Sequence, residues 1–172
     1  MFQIMDIQLT PVTKAGKRAF SQLFNLYNFN YDFTNYLNDD LPEDGFFFGD
    51  ADYYLDNDKV QNFFIRADGK IAGYVIIAEG GDRYLDNPNA HSIEEFFVTR
   101  KYRRQGVGTI AAVMSFEMYD GMWEVCQMKD NIVAQKFWIT VIDKYTNGQY
   151  HICETEYDEL IGLIFNNGDK KC

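Results

Sequence analysis

The chain has 172 residues, enough for one domain with a sizeable core and too few for two ordinary ones. Its formal net charge of -10 argues against a nucleic-acid partner, because phosphate binding needs a basic face. Hydrophobic residues at 47% and charged residues at 24% give the balance of a soluble globular protein, and the aromatic share of 17% points to an aromatic-rich core or pocket.

In chain order, loose alternation over Phe2 to Leu9 predicts a first strand. Thr13 to about Leu37 reads as helical, with Phe20, Leu23, Phe24 and Tyr27 at helical spacing and a possible break near Asn28 to Asn30. From Asn38 to Asp58 the chain turns acidic, with Pro42, Gly45 and Gly49 as breakers. Val60 to Arg66 and Ile71 to Ala78 flank Asp68-Gly69, a strong hairpin signal. After a loop at Gly80 to Ala90, Ser92 to Val98 is β-prone.

A helix is expected from about Gln105 to Tyr119, with Ile110, Val113, Met114 and Met118 on one side and Gly121 closing it. Met122 to Met128 reads as a strand. Asn131 to Tyr145 reads as an amphipathic helix whose inner face is Ala134, Trp138, Val141, Ile142 and Tyr145. Asn147-Gly148 turns the chain into two last strands, near Tyr150 to Glu156 and Leu160 to Phe165. No repeat or linker interrupts this order, so one domain over 1–172 is expected, its core about 4–166. An α/β (α+β) architecture follows: a mixed, mainly antiparallel sheet of about seven strands with helices on both faces.

The three cysteines, Cys126, Cys153 and Cys172, have neither disulfide nor metal-ligand spacing. There is no charged leader before an apolar run, and no stretch approaches a membrane span. A cytoplasmic protein with no membrane partner is the expectation.

The densest chemical signal is Arg103-Arg104-Gln105-Gly106-Val107-Gly108-Thr109, set between a strand and a helix. Glycines let the backbone turn its N–H groups outward, and the first N–H groups of a helix lack internal partners. With Arg100, Lys101, Arg103 and Arg104 nearby, a pyrophosphate suits such a site. The glycines could equally serve only a tight turn. A Walker loop is excluded because no Gly-Lys-Ser/Thr follows. Gly106-x-Gly108-x-x-Ala111, with Asp130 downstream, formally matches the dinucleotide fingerprint, but that fold needs more βα units than remain.

These residues resemble the acetyl-CoA site of the GNAT superfamily of N-acetyltransferases. Arg103-x-x-Gly106-x-Gly108 matches its Arg/Gln-x-x-Gly-x-Gly/Ala signature, and Val98 to Arg103 resembles its Val-x-Pro-x-Tyr-Arg lead-in, with Arg100 in place of proline. At the right distance, Asn131-x-x-Ala134-x-x-Phe137-Trp138 resembles the family's Asn-x-x-Ala-x-x-Phe-Tyr. The likeness is strong over roughly residues 93 to 150, and the run from Phe137 to Gly148 looks like a little-characterised bacterial subgroup of predicted acetyltransferases.

The resemblance implies that backbone groups of Phe96 and Val98, with Phe97 between them, hold the pantetheine arm like an added strand. It implies that Arg103, Arg104, Gln105, Gly106, Val107, Gly108 and Thr109 wrap the pyrophosphate. Asn131, Ala134, Phe137 and Trp138 would complete the acetyl-CoA site. Asn131 could instead be simply a helix cap, and the two roles are compatible. No metal is implied, since Asp50, Asp52, Asp56 and Asp58 do not match a calcium loop.

Acetyl transfer needs a deprotonated amine, a polarised thioester carbonyl and a protonated leaving thiolate. Glu94 and Glu95 are the candidate bases, directly or through water. Strict strand alternation lets at most one of them face the substrate. The resemblance favours Glu94, because family members often place their base an even number of residues before the position matched by Val98. Trp138 stands where family enzymes commonly place a tyrosine proton donor, and an indole cannot deliver a proton at neutral pH. Tyr145 or a water could serve instead. A non-catalytic acyl-CoA-binding or interaction module on the same fold is the alternative.

The segment before the second strand holds Asp39, Asp40, Glu43, Asp44, Asp50, Asp52, Asp56 and Asp58, with Phe46, Phe47, Phe48, Tyr53 and Tyr54 among them, and the resemblance implies that it borders the acceptor pocket. Such a surface favours a small cationic amine or a basic peptide end, although a solvated loop would look the same. Exposed sheet edges leave a homodimer open.

Overall fold

Asp68 and Gly69 take φ of 49° and 74°, the left-handed pair that a two-residue hairpin turn demands. They join β2 (Val60–Ala67) to β3 (Lys70–Glu79) in antiparallel register. This hairpin is the centre of a computed structural model that describes residues 5–30, 51–80, 88–154 and 159–168. Around it lie β1 (Ile7–Pro11), α1 (Lys17–Asn30), a single turn α2 (Asp52–Leu55), β4 (Ala90–Val98), α3 (Val107–Phe116), β5 (Met122–Met128), α4 (Ile132–Thr146), β6 (His151–Glu154) and β7 (Leu160–Asn166).

The strands form one sheet in the order β1-β2-β3-β4-β5-β7-β6. Among the described strands, β4 and β5 pair in parallel and all other neighbours are antiparallel. The expected seven-stranded mixed sheet is therefore present. Pro11 sits in β1, an edge strand, where a missing N–H costs no ladder bond.

Alternation sorts the strand side chains into two layers. Phe64, Tyr74, Ile76 and Phe97 pack under Phe20 and Phe24 of α1. Ile65, Val75, Ile77, Ile93, Trp123, Val125, Leu163 and Phe165 pack under α3 and α4. The sheet is thus covered on both faces.

Two expectations for α3 are corrected. Its buried face is Val107, Ala111, Ala112, Ser115 and Phe116, whereas Ile110 and Met118 are 43% and 37% exposed. This helix is apolar nearly all round, so periodicity cannot choose a side, and the small Ala111 and Ala112 let it approach the sheet. Gly121 does not close the helix, which ends at Phe116 with Glu117 in right-handed conformation. The freed carbonyls of Phe116 and Tyr119 instead accept from Asn167 Nδ2 at 2.6 and 2.9 Å.

The hairpin carries a bulge. Ile65 lies opposite Gly73 and Arg66 opposite Ile71, which leaves Ala72 as an extra residue. The backbone of β4 then comes so close that a Cβ on Gly73 would lie 1.9 Å from the Phe97 carbonyl oxygen. Only glycine fits there.

Candidate active site

The site begins where two parallel strands part. β4 and β5 pair from Ala90↔Met122 to Ile93↔Val125 and no further, although both strands continue. Thr99 donates its N–H to Ala72 of β3 at 2.8 Å, so the backbone groups of Thr99 and Phe97 face β3. Those of Phe96 and Val98 consequently face the gap left by β5. The Val98 carbonyl accepts from Arg103 Nε at 2.7 Å and keeps a second lone pair.

A cavity of about 930 Å³ occupies this gap. Phe96, Phe97 and Val98 line it from β4, Arg100, Arg103, Arg104 and Gly106 from the loop, and Gly108 and Thr109 from the start of α3. Asn131, Val133, Ala134, Phe137 and Trp138 line it from α4. Twelve of the fourteen expected cofactor residues are therefore gathered in one place.

Gln105 and Val107 are not among the lining residues. Gln105 Nε2 donates back to the Lys101 carbonyl at 2.6 Å, and Val107 is buried in the core. Either could reach the cavity only through its backbone. Arg100, named above only as a basic residue near the loop, also lines it, and so does Val133, which was not expected there.

The loop has the conformation an anion cradle needs. Gly106 is the N-cap of α3 at φ 82°, with nothing within 4 Å of the position its Cβ would take, and Arg104 is also left-handed at φ 59°. Ile110 N–H bonds to the Gly106 carbonyl, so the N–H groups of Val107, Gly108 and Thr109 point out of the helix end. At Gly108 a Cβ would press on the Phe137 ring at 3.3 Å, which keeps α3 close to α4. Asn131 caps α4 by accepting from the Ala134 N–H at 3.0 Å, and it also faces the cavity.

The carboxylates obey a geometry that alternation misses. Ile77 pairs with Ile93 and Ile76 with Glu95, so Glu94 is the extra residue of a bulge in β4. Glu95 shares the side of Ile76, the α1 face. Glu94 accepts from Ser92 Oγ at 2.7 Å, and Ser92 lies across the strand from Ile93, again on the α1 face. Both carboxylates leave the strand on one side, so the parity argument that separated them does not hold here.

Glu124 joins them and was missed from the sequence. It lies beside Ser92 in register, between Trp123 and Val125 of the other layer, and its exposure is 0%. A charge inside the apolar run Met122 to Cys126 was the available sign.

Glu94, Glu95 and Glu124 do not line the cavity, and neither does Tyr145. It stands two turns beyond Trp138 on α4, packed on Phe116 and Phe165, and its hydroxyl donates to Glu117 Oε1 at 2.7 Å. Burial, with that hydrogen bond, pushes its pKa up to about 12. The geometry thus gives no support to its expected role as proton donor. Trp138 does face the cavity, at 5% exposure among Phe96, Phe116 and Phe137. Of the acidic acceptor segment, Asp52, Asp56, Asp58, Tyr53 and Tyr54 are described; Asp39, Asp40, Glu43, Asp44, Asp50 and Phe46 to Phe48 lie outside the described residues.

The sequence profile of the acetyltransferase (GNAT) family matches residues 20–138, more than half of the chain. No curated protein matches by direct sequence comparison. Among solved structures, a GNAT-family acetyltransferase from Streptococcus agalactiae superposes with a TM-score of 0.67 at 15% identity, covering 97% of this chain and 98% of its own. A Bacillus subtilis acetyltransferase in complex with CoA gives 0.55 at 14% identity, covering 95% and 99%. AAC(6')-Iy, bound to the bisubstrate analogue CoA-S-monomethyl-acetylneamine, gives 0.55 at 21% identity, covering 81% and 90%. At these identities the structures establish a shared fold.

Proposed function

Because this chain belongs to the acetyltransferase (GNAT) family and is thus an acetyl-CoA-dependent enzyme, we propose that it acetylates a primary amine on a small cationic acceptor. The observation that carries this reading is the gap between β4 and β5, where the backbone of Phe96 and Val98, outside the β4–β5 ladder, meets the left-handed loop before α3. An extended chain bearing amides at one end and a pyrophosphate at the other fits that pair of features. Free N–H groups at Val107, Gly108 and Thr109, with Arg103 and Arg104, would hold the pyrophosphate. The edge of β4 would hold the amides as a neighbouring strand does.

Acetyl-CoA supplies the activated acyl carbon as a thioester. Overall, one C–S bond breaks and one amide C–N bond forms; a cationic amine loses two protons, one before it attacks and one as the amide forms, while the thiolate gains one and the other passes to solvent. Glu94, steadied by Ser92, is the base that takes the amine proton, directly or through water. The α1-face carboxylates Glu94 and Glu95 favour a positively charged acceptor before it is deprotonated. Backbone N–H on β4 would stabilise negative charge on the thioester oxygen. With Tyr145 remote and Trp138 unable to deliver a proton, a water is the natural donor to the thiolate.

The bisubstrate analogue bound to AAC(6')-Iy, which joins CoA to acetylneamine, supports an amine acceptor for this fold. We further take the chain as one domain and its location as cytoplasmic; no helix among the described residues is long and apolar enough to cross a membrane. A homodimer through the outer sheet edges is part of the same proposal. Thiol release from acetyl-CoA across a panel of polyamines, aminoglycosides and basic peptides tests the reading. Saturable acetyl-CoA binding with no acceptor-dependent release would favour a non-catalytic binding module instead.

A further inference from the structure

We propose that Trp138 limits the acyl chain this enzyme accepts, so that acetyl-CoA is used and longer acyl-CoA thioesters are excluded. The inference rests on the cofactor-site reading above and concerns the inner end of the same cavity. α4 lines that cavity through Asn131, Val133, Ala134, Phe137 and Trp138, and then stops. Val141 and Ile142, one turn deeper, belong to the closed core. Trp138 is thus the floor of the helical wall.

The strand wall ends at the same depth. The Phe96 ring lies 5.0 Å from the Trp138 ring, edge to face, and β4 and β5 close together three residues before Phe96, at Ile93↔Val125. With the charged loop at the opposite, open end of the cavity, a ligand entering by its pyrophosphate-bearing half directs its other end at the indole. The acyl group would arrive there.

The indole has nowhere to retreat. Phe137 meets it at 4.9 Å and 68°, and Phe116, at 0% exposure, stands behind it at 6.3 Å. Interiors packed at this density do not absorb added methylenes without moving side chains off their rotamers. A phenol in the family's usual position is smaller than an indole, so this substitution shortens the space for the acyl group while it removes a proton donor. One residue change accounts for both.

The test measures equilibrium binding of CoA, acetyl-CoA and butyryl-CoA to the full chain as wild type, Trp138→Phe and Trp138→Ala. The wild type should bind butyryl-CoA about tenfold more weakly than acetyl-CoA, the size of effect a hydrophobic pocket achieves against added methylenes. Trp138→Phe should narrow that ratio and Trp138→Ala should abolish or reverse it, the ratio being taken within each variant so that any loss of affinity common to both thioesters cancels. If Trp138→Ala does not fold, the milder Trp138→Phe decides. An unchanged butyryl-to-acetyl ratio in a variant that still binds CoA overturns the proposal, as does a wild type indifferent to chain length. A wild type that binds no CoA at all would instead remove the cofactor-site reading beneath it, and the proposal with it.

Discussion

Arg103 folds back onto Val98, its Nε donating to the Val98 carbonyl at 2.7 Å while its guanidinium lies 5.4 Å over the Phe97 ring. One side chain therefore ties the loop before α3 to the edge of β4, the two features proposed to hold the cofactor. Arg103→Ala should weaken acetyl-CoA binding about tenfold, equivalent to about 1.4 kcal/mol. Its effect on folding stability should stay within about 0.5 kcal/mol, as for other exposed positions. Arg103→Lys should recover only part of the affinity, because an ammonium lacks the planar fork that bonds and stacks at once. Titration calorimetry beside a denaturant melt separates the two effects.

Gly106→Ala tests the loop conformation alone. Space is not limiting, but φ of 82° costs an L-residue about 1–2 kcal/mol. Affinity for acetyl-CoA should fall by about tenfold or more as the loop relaxes away from the cradle. Gly121→Ala, equally left-handed at φ 124° but outside the cavity, should lose stability and keep its affinity. Equal losses of affinity in both variants would show that general destabilisation, not the cradle, is being read.

Glu94→Gln should lower turnover by about 10²- to 10⁴-fold with acetyl-CoA affinity intact, the range expected for a lost general base. Because the bulge sends both carboxylates to the α1 face, Glu95→Gln is the necessary comparison. A larger loss from Glu95→Gln would transfer the role to that residue.

Trp138→Tyr should retain or raise turnover, since it introduces a hydroxyl where the family often carries one and fits in a smaller volume. Steady-state kinetics alongside CoA binding checks this. A large loss of turnover with intact cofactor binding would count against this view of the position.

Tyr145→Phe should leave acetyl-CoA binding and turnover unchanged, as the ring lies outside the cavity. Its consequence is for stability at high pH. The folded phenol holds its proton up to about 12 against about 10 when unfolded, so the folded state binds more protons between those values. The stabilisation is complete below pH 10 and is lost as pH rises toward 12. Denaturation midpoints from pH 9 to 11 should fall less steeply in Tyr145→Phe than in the wild type.

The amino-acid sequence by itself determined the features that short-range chemistry encodes. Asp68-Gly69 specifies its hairpin through two left-handed residues, and Asn131 specifies the start of α4 through one side-chain bond to Ala134. The spacing of Arg103, Gly106 and Gly108 marked the loop, because a glycine at φ 82° before a helix is a local requirement. The order of the strands and of the longer helices followed from period and punctuation, whereas the single turn α2 lay inside a stretch read as an acidic loop.

What the tertiary structure decided was relative position. The face that α3 buries depends on how close the sheet allows it, which no helical period in an apolar segment can tell. The side on which Glu94 leaves β4 depends on a bulge created by pairing with Ile76 and Ile77, residues of another strand. Glu124 came beside Ser92 only through the pairing of β5 with β4, and the length of α4 carries Tyr145 beyond the cavity lining. These are long-range relations, in which each residue's role is set by a partner distant in sequence, and only the folded chain brings such partners together.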